Sequence, residues 1–207
     1  EEAPAPGVGK HLRRKIGEAA VRLAQTANYE GAGTIEFLLD PKGKFYFLEA
    51  NARVQVEHPV TEMLTGVDIV HEQIRAAAGE QLSYEQGAVW FNGHAIECRI
   101  LAVDSANEFA PSPGRITEWV PPIGPGVRVD TGVTTGSVVP EYYDPMIAKV
   151  ICWGKDRPSA IARMEAALHM MRVDGIRTII PFHLRILGNR FFRDGQVDTT
   201  FLPRRMA

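Results

Sequence analysis

The chain has 207 residues, 45% of them hydrophobic and 23% charged, with a formal net charge of −2. This near-neutral balance gives no bulk electrostatic attraction to nucleic acid, no apolar run reaches membrane-spanning length, and no signal peptide is visible. The two cysteines, Cys98 and Cys152, have no CxxC spacing, which argues against a zinc knuckle or disulfide framework and for buried thiols in a reducing compartment.

In chain order, "EEAPAPG" reads as a linker or loop. From His11 to Asn28 the apolar residues Leu12, Ile16, Ala20, Leu23 and Ala27 recur at steps of three and four, which predicts an amphipathic helix. "YEGAG" stops it. Two β-prone runs then flank Asp40-Pro41-Lys42-Gly43, a hairpin pattern with Asp40 as a turn residue. After His58-Pro59 the pattern turns helical, with Gly66 as an interruption and Asp68 as an N-cap. The polar stretch "GEQLSYEQGAV" places a domain boundary near residue 88, giving 1–88 and 89–207. Beyond it, His94 to Leu101, Arg115 to Val120, Val127 to Thr131 and Ile147 to Trp153 read as strands between Pro- and Gly-rich loops. A helix begins near Asp156-Arg157-Pro158, carries Ile161, Met164, Leu168 and Met171 on one face, and ends at Val173-Asp174-Gly175. Another spans Pro181 to Phe192. The fold class is α+β, with no internal repeat.

Centring the hairpin loop between Lys42 and Gly43 sets Phe37 opposite Leu48 and Glu36 opposite Glu49. Opposed residues share a face with Cβ atoms about 5 Å apart, and two like charges there destabilise the pair unless a cation lies between them. Hard oxygen ligands suit magnesium or manganese, and Asn51, two residues on, can add an amide oxygen. A solvated hairpin with two exposed glutamates is the competing reading, and a slip of one residue would abolish the pairing.

Glu49, Asn51, Arg53, Gln55 and Glu57 alternate with Ala50, Ala52, Val54, Val56 and His58. Extended, this run is about 26 Å long, too long for one small ligand, so the chain must bend after Asn51 or Arg53 if all five serve one site. Arg53 has a planar donor fork that fits carboxylate, bicarbonate or phosphate, and Glu57 is a candidate general base. An exposed Arg–Glu pair is the bland alternative. His58 is expected to make a structural hydrogen bond. The chain contains no GxxxxGK[ST] loop, no HExxH and no Ser-His-Asp order.

"FLEANARVQVEHPVTEMLTGVDIV" closely resembles the signature of biotin carboxylase, an ATP-grasp enzyme found as a subunit or domain of acetyl-CoA, propionyl-CoA and pyruvate carboxylases. The resemblance continues through "GAGTIEF", "GHAIECRI", "PSPGRI", "GVRVDTGV", "YYDPMIAKVI", "ARMEAAL" and "DGIRT", from about Glu1 to Leu202. It implies the C-terminal part of an ATP-grasp domain, an antiparallel sheet with helices. The biotin carboxylase C-terminal domain, mainly antiparallel β with packed helices, would follow. The lid and the lysines that grip ATP would lie upstream of Glu1.

The resemblance also implies roles. Glu36, Glu49 and Asn51 would bind magnesium or manganese with ATP; Arg53, Gln55 and Val56 would hold bicarbonate; Glu57 would deprotonate it. Arg99 would stabilise the developing biotin enolate, with an ion pair to Glu97 as its structural alternative, and Asp144 would lie near the biotin. Implied partners are a biotinylated carrier protein or domain, a carboxyltransferase, and a second copy in a homodimer or larger complex. The implied compartment is the cytoplasm or the mitochondrial matrix, and fatty acid biosynthesis is an implied context. Two departures are visible: Leu101 and Val103 stand where the family usually has polar residues, and Ile179 follows "GIRT" where it often has another polar residue. The Leu101 and Val103 changes are the main sequence support for the alternative, a non-catalytic assembly or partner-binding module. A different ATP-grasp ligase is opposed by the Gln55-Val56-Glu57-His58-Pro59 run.

Overall fold

The first residues form a strand, where a linker or loop was expected. In a computed structural model that describes residues 1–206, β1 (Glu2–Ala3) pairs antiparallel with β4 (His94–Leu101), Glu2 opposite Ile96. Side-chain chemistry fixes it there. The Glu2 carboxylate accepts from Arg157 Nε at 2.6 Å and Nη2 at 3.1 Å and lies 2.8 Å from His94 Nε2. Burial alone would raise the Glu2 pKa, but the hydrogen bonds from His94 and Arg157 outweigh it and hold the carboxyl below its usual range.

The chain divides into two compact units, residues 7–92 and residues 93 onward together with 1–6. The first unit contains α1 (Lys10–Thr26), the antiparallel hairpin of β2 (Thr34–Leu39) and β3 (Phe45–Asn51), α2 (His58–Thr65) and α3 (Ile69–Ala77). Asp40 closes the hairpin by accepting the Lys42 and Lys44 N–H groups, each at 2.9 Å. Gly66 ends α2 in the left-handed region at φ +73°, and the Asp68 carboxylate caps α3 by accepting the His71 N–H at 2.8 Å. α1 has an apolar stripe, but no residue of it is fully buried.

The second unit is built on an antiparallel sheet in the order β1-β4-β11-β9, with β9 at Val127–Thr131 and β11 at Met146–Gly154. Along β4, Ile96, Cys98 and Ile100 face one way and Glu97 and Arg99 the other, as the two-residue period requires. α4 (Arg157–Met170) covers the apolar face with Ala160, Ile161, Met164, Ala167 and Leu168, all buried. The thiols of Cys98 and Cys152 lie in this core, and burial pushes both up to about 12.

Smaller ladders surround the sheet: β5 (Val103–Asp104) with β6 (Ala110–Pro111), β7 (Gly114–Arg115) with β10 (Val138–Val139), and β8 (Glu118–Val120) with β12 (Arg172–Asp174). The single strand expected over Arg115 to Val120 is therefore two, because β7 and β8 serve different partners. Between them Ile116 is fully buried, and the Thr117 N–H donates to the Asp174 carbonyl at 2.8 Å. β12 occupies the segment expected to end the preceding helix. The last expected helix is broken at Asn189 into α5 (Ile180–Gly188) and α6 (Arg190–Arg193), since the Asn189 side chain accepts the Phe191 N–H at 2.9 Å and starts a new helix. A short α7 (Phe201–Arg205), not anticipated, buries Phe201 with Phe182 and Met206.

Of the unusual apolar residues, Val103 is buried, and Leu101 and Ile179 are joined through their backbones. Val103 is 5% exposed in the β5–β6 ladder, and the Ile179 N–H donates to the Leu101 carbonyl at 3.0 Å.

Candidate active site

The hairpin sets Glu36 directly opposite Glu49, Ile35 opposite Ala50 and Thr34 opposite Asn51. Past Glu36 the register shifts, so Phe37 faces Phe47 and not Leu48 as expected. Leu48 is the extra residue of a bulge beside the acid pair, a position bulges often take next to functional side chains.

The Asn51 amide nitrogen donates to Glu36 Oε1 and to Glu49 Oε1, each at 2.9 Å. β3 ends at Asn51 and the chain bends, as the length of the polar run required. The bend turns Gln55 back so that its Nε2 donates to Glu36 Oε1 at 2.7 Å. Arg53 spans the two ends: its Nη1 donates to Gln55 Oε1 at 2.9 Å and to the Val54 carbonyl at 3.1 Å, and its Nη2 reaches Asn51 Oδ1 at 3.4 Å. Residues expected to divide between a metal group and an anion group thus form one connected network. Val56 and Glu57 follow within the bend, and Glu57 is the N-cap residue of α2.

Among the described residues no three His, Cys, Asp or Glu side chains are grouped to hold a metal ion. The donor set is two carboxylates and one amide. An amide that already bridges both acids through its nitrogen brings its oxygen to the same place by a half-turn. Magnesium keeps several waters and is bound by one or two carboxylates plus substrate phosphates, so this partial set fits an ion that arrives with a nucleotide.

His58 makes the structural contact expected of it: its Nδ1 lies 2.9 Å from Glu62 Oε1, and that oxygen also accepts the Ile69 N–H at 2.8 Å, joining α2 to α3. Glu62 is 8% exposed and was missed from sequence, though its position four residues after His58 was a legible signal.

In the second unit Arg99 Nη2 pairs with Glu1 Oε1 at 2.7 Å, and the Arg99 carbonyl lies 2.8 Å from His183 Nε2. The sequence alternative for Arg99 is an ion pair to Glu97, and the close ion pair seen at Arg99 is the one to Glu1. Glu97 is 1% exposed and neither of its carboxylate oxygens has a hydrogen-bond partner among the described residues. Burial pushes its pKa up to about 7, opposed mainly by Lys149. Lys149, on β11, stands directly opposite Arg99 on β4. Asp144 is exposed, and its Oδ1 accepts the Met146 N–H at 2.8 Å. Local pattern gave no signal for the burial of Glu97, which depends on what covers the strand.

Residues 97–204 match the profile of the biotin carboxylase C-terminal domain, and residues 1–85 match the ATP-binding domain of the carbamoyl-phosphate synthase L chain. A biotin carboxylase of Nostoc sp. is 55% identical over 202 residues, covering 98% of this chain and 45% of that protein. Biotin carboxylase 1 of Bacillus subtilis is 50% identical over 203 residues, again covering 98% of this chain and 45% of that protein. The chain therefore spans less than half the length of these relatives. Among solved structures, the biotin carboxylase domain dimer of Hydrogenobacter thermophilus 2-oxoglutarate carboxylase, in complex with MgADP, ADP and bicarbonate, matches with a TM-score of 0.96 at 44% identity. That match covers 99% of this chain and 45% of the other.

Proposed function

The chain belongs to the biotin carboxylase C-terminal domain family, and on that premise we propose that it supplies the metal, bicarbonate and biotin-facing residues of an ATP-dependent biotin carboxylase. The observation that carries the proposal is the hydrogen-bonded set of Glu36, Glu49, Asn51, Arg53 and Gln55, which leads along the bend into Glu57.

Each residue has a task its chemistry suits. Glu36, Glu49 and Asn51 would hold magnesium or manganese, which would offset charge on the ATP phosphates. Arg53 and Gln55, with Val56, position bicarbonate, a weak nucleophile, beside its base. Glu57 takes the bicarbonate proton as an oxygen attacks the γ-phosphorus. The γ-phosphorus bond to ADP breaks and carboxyphosphate forms. Carboxyphosphate releases CO2, and the phosphate left behind accepts the proton of the biotin ureido nitrogen. That nitrogen then bonds to CO2. Arg99 offers a fixed positive charge where the ureido oxygen turns negative, and Asp144 lies on the biotin side. The biotin is carried by a carrier domain, a carboxyltransferase takes the carboxyl group onward, and the enzyme works as a homodimer or within a larger complex. No helix among the described residues is long and apolar enough to cross a membrane.

The test is bicarbonate-dependent ATP hydrolysis stimulated by free biotin, measured in the full-length protein that carries these residues. Hydrolysis that depends on bicarbonate and is lost in Glu57→Gln supports the proposal. A full-length protein with no such activity overturns it.

A further inference from the structure

β4 is flanked by β11 along one edge and by β1 along the other up to Glu97, where Glu1 and Glu97 exchange main-chain hydrogen bonds at 2.9 and 3.0 Å. Alternate residues of a strand turn their main-chain groups to the same edge, so Arg99 and Leu101 come next on that side. The start of α5 takes both. The Ile179 N–H donates to the Leu101 carbonyl at 3.0 Å, and His183 Nε2 lies 2.8 Å from the Arg99 carbonyl. The spacings suit each other, since four helical residues rise about 6 Å and two strand residues about 6.8 Å. One turn of helix therefore satisfies an edge that would otherwise need a strand.

The contact at Arg99 has a defined chemistry. A carbonyl oxygen only accepts, so His183 Nε2 carries the proton. Burial holds the His183 pKa below its usual range, which keeps the ring neutral and this tautomer fixed. The other end of Arg99 is held as well, with Nη2 paired to Glu1 Oε1 at 2.7 Å. Arg99 is thus gripped at its main chain by α5 and at its tip by Glu1. No local spacing links His183 to Arg99, which lies 84 positions earlier.

We propose that His183 is a positioning residue for Arg99, setting through the main chain where the guanidinium stands. The consequence for catalysis rests on the biotin carboxylase reading above, in which that guanidinium would face the negative charge developing on biotin. A small shift of the Arg99 main chain is carried along the side chain to its donors, and stabilisation of a developing charge depends steeply on donor position.

The test uses the full-length protein with three substitutions. His183→Gln keeps an amide N–H that reaches the carbonyl. His183→Leu has no donor and His183→Asn is too short, so a failure of either to fold leaves the other. We expect carboxybiotin formation at saturating biotin to fall about tenfold or more in the leucine and asparagine variants. Bicarbonate-dependent ATP cleavage without biotin should stay near wild type, and the glutamine variant should keep most of the carboxylation. In an Arg99→Met background His183→Leu should cause no further loss, since both changes act through one guanidinium. Equal loss of both activities, no recovery with glutamine, or an additive loss beside Arg99→Met overturns the proposal. A wild type without bicarbonate-dependent ATP cleavage would sink the biotin carboxylase reading instead. The order of the Arg99 side chain then decides, read from its Nε–H signal by NMR in wild type and His183→Leu. Loss of order in the variant supports positioning by His183, and an unchanged signal overturns it.

Discussion

Glu36 and Glu49 stand directly opposite each other across the β2–β3 hairpin, and the Asn51 amide donates to one oxygen of each at 2.9 Å. Two opposed acids joined only by a neutral amide form an arrangement with unsatisfied electrostatics, which a cation resolves. Without divalent ions, Glu49→Gln should raise stability by about 0.5 kcal/mol through relief of like-charge repulsion. With millimolar magnesium the order should reverse, because only wild type gains binding free energy. Thermal melts with and without magnesium read both effects. A wild type indifferent to magnesium and manganese would count against a metal site.

Arg99 and Glu57 should separate in kinetics. Arg99→Met should lower carboxybiotin formation about a hundredfold, the usual scale for a lost oxyanion donor, and leave biotin-independent ATP cleavage near wild type. Glu57→Gln should lose both activities, since it acts before carboxyphosphate exists. Paired assays of phosphate release and of carboxylated biotin distinguish the two.

Glu97 gives stability a pH dependence of unusual sign. Its folded pKa is about 7 against an ordinary 4.5, burial being the largest cause. The folded state therefore keeps a proton that the unfolded chain releases. Its contribution is fully present below pH 4.5 and is lost as pH rises through about 7. The expected loss is about 2–3 kcal/mol. Glu97→Gln should flatten this segment of the profile and be the more stable protein above pH 7. Urea titrations from pH 4 to 8 measure it, and parallel curves for the two proteins would show that Glu97 titrates normally.

Gly175 has φ +94°, and a Cβ there would overlap the Arg115 carbonyl and press within 2.9 Å of the Thr117 nitrogen. Gly175→Ala should cost at least about 2 kcal/mol, combining left-handed strain with overpacking. Gly132→Ala, where a Cβ meets nothing within 4 Å, should stay within about 0.5 kcal/mol of wild type. Chemical denaturation of the two variants makes the comparison.

Much of this was legible in local pattern. Turn residues Asp40 to Gly43 marked the hairpin, but the pairs beside the turn run one residue off the expected register, and only the Leu48 bulge, which no local pattern records, brings Glu49 opposite Glu36. The Asp68 cap, the start of α4 near Asp156 and the buried face of α4 followed from short-range spacing. The break at Asn189 was a matter of capping against apolar periodicity, and capping prevailed. The split at Ile116 came from partners distant in sequence.

By itself the sequence determined the hairpin, the need for a bend after Asn51 or Arg53, and the family motif, because each depends on residues within about one hairpin of one another. Tertiary structure alone decided that Gln55 folds back onto Glu36, that Glu2 is clasped by Arg157, 155 positions away in sequence, and that Glu97 is buried while Arg99 turns to Glu1. Those outcomes depend on which distant strand closes against which. Loop-closure entropy and burial set that choice over the whole chain, and no local spacing records it.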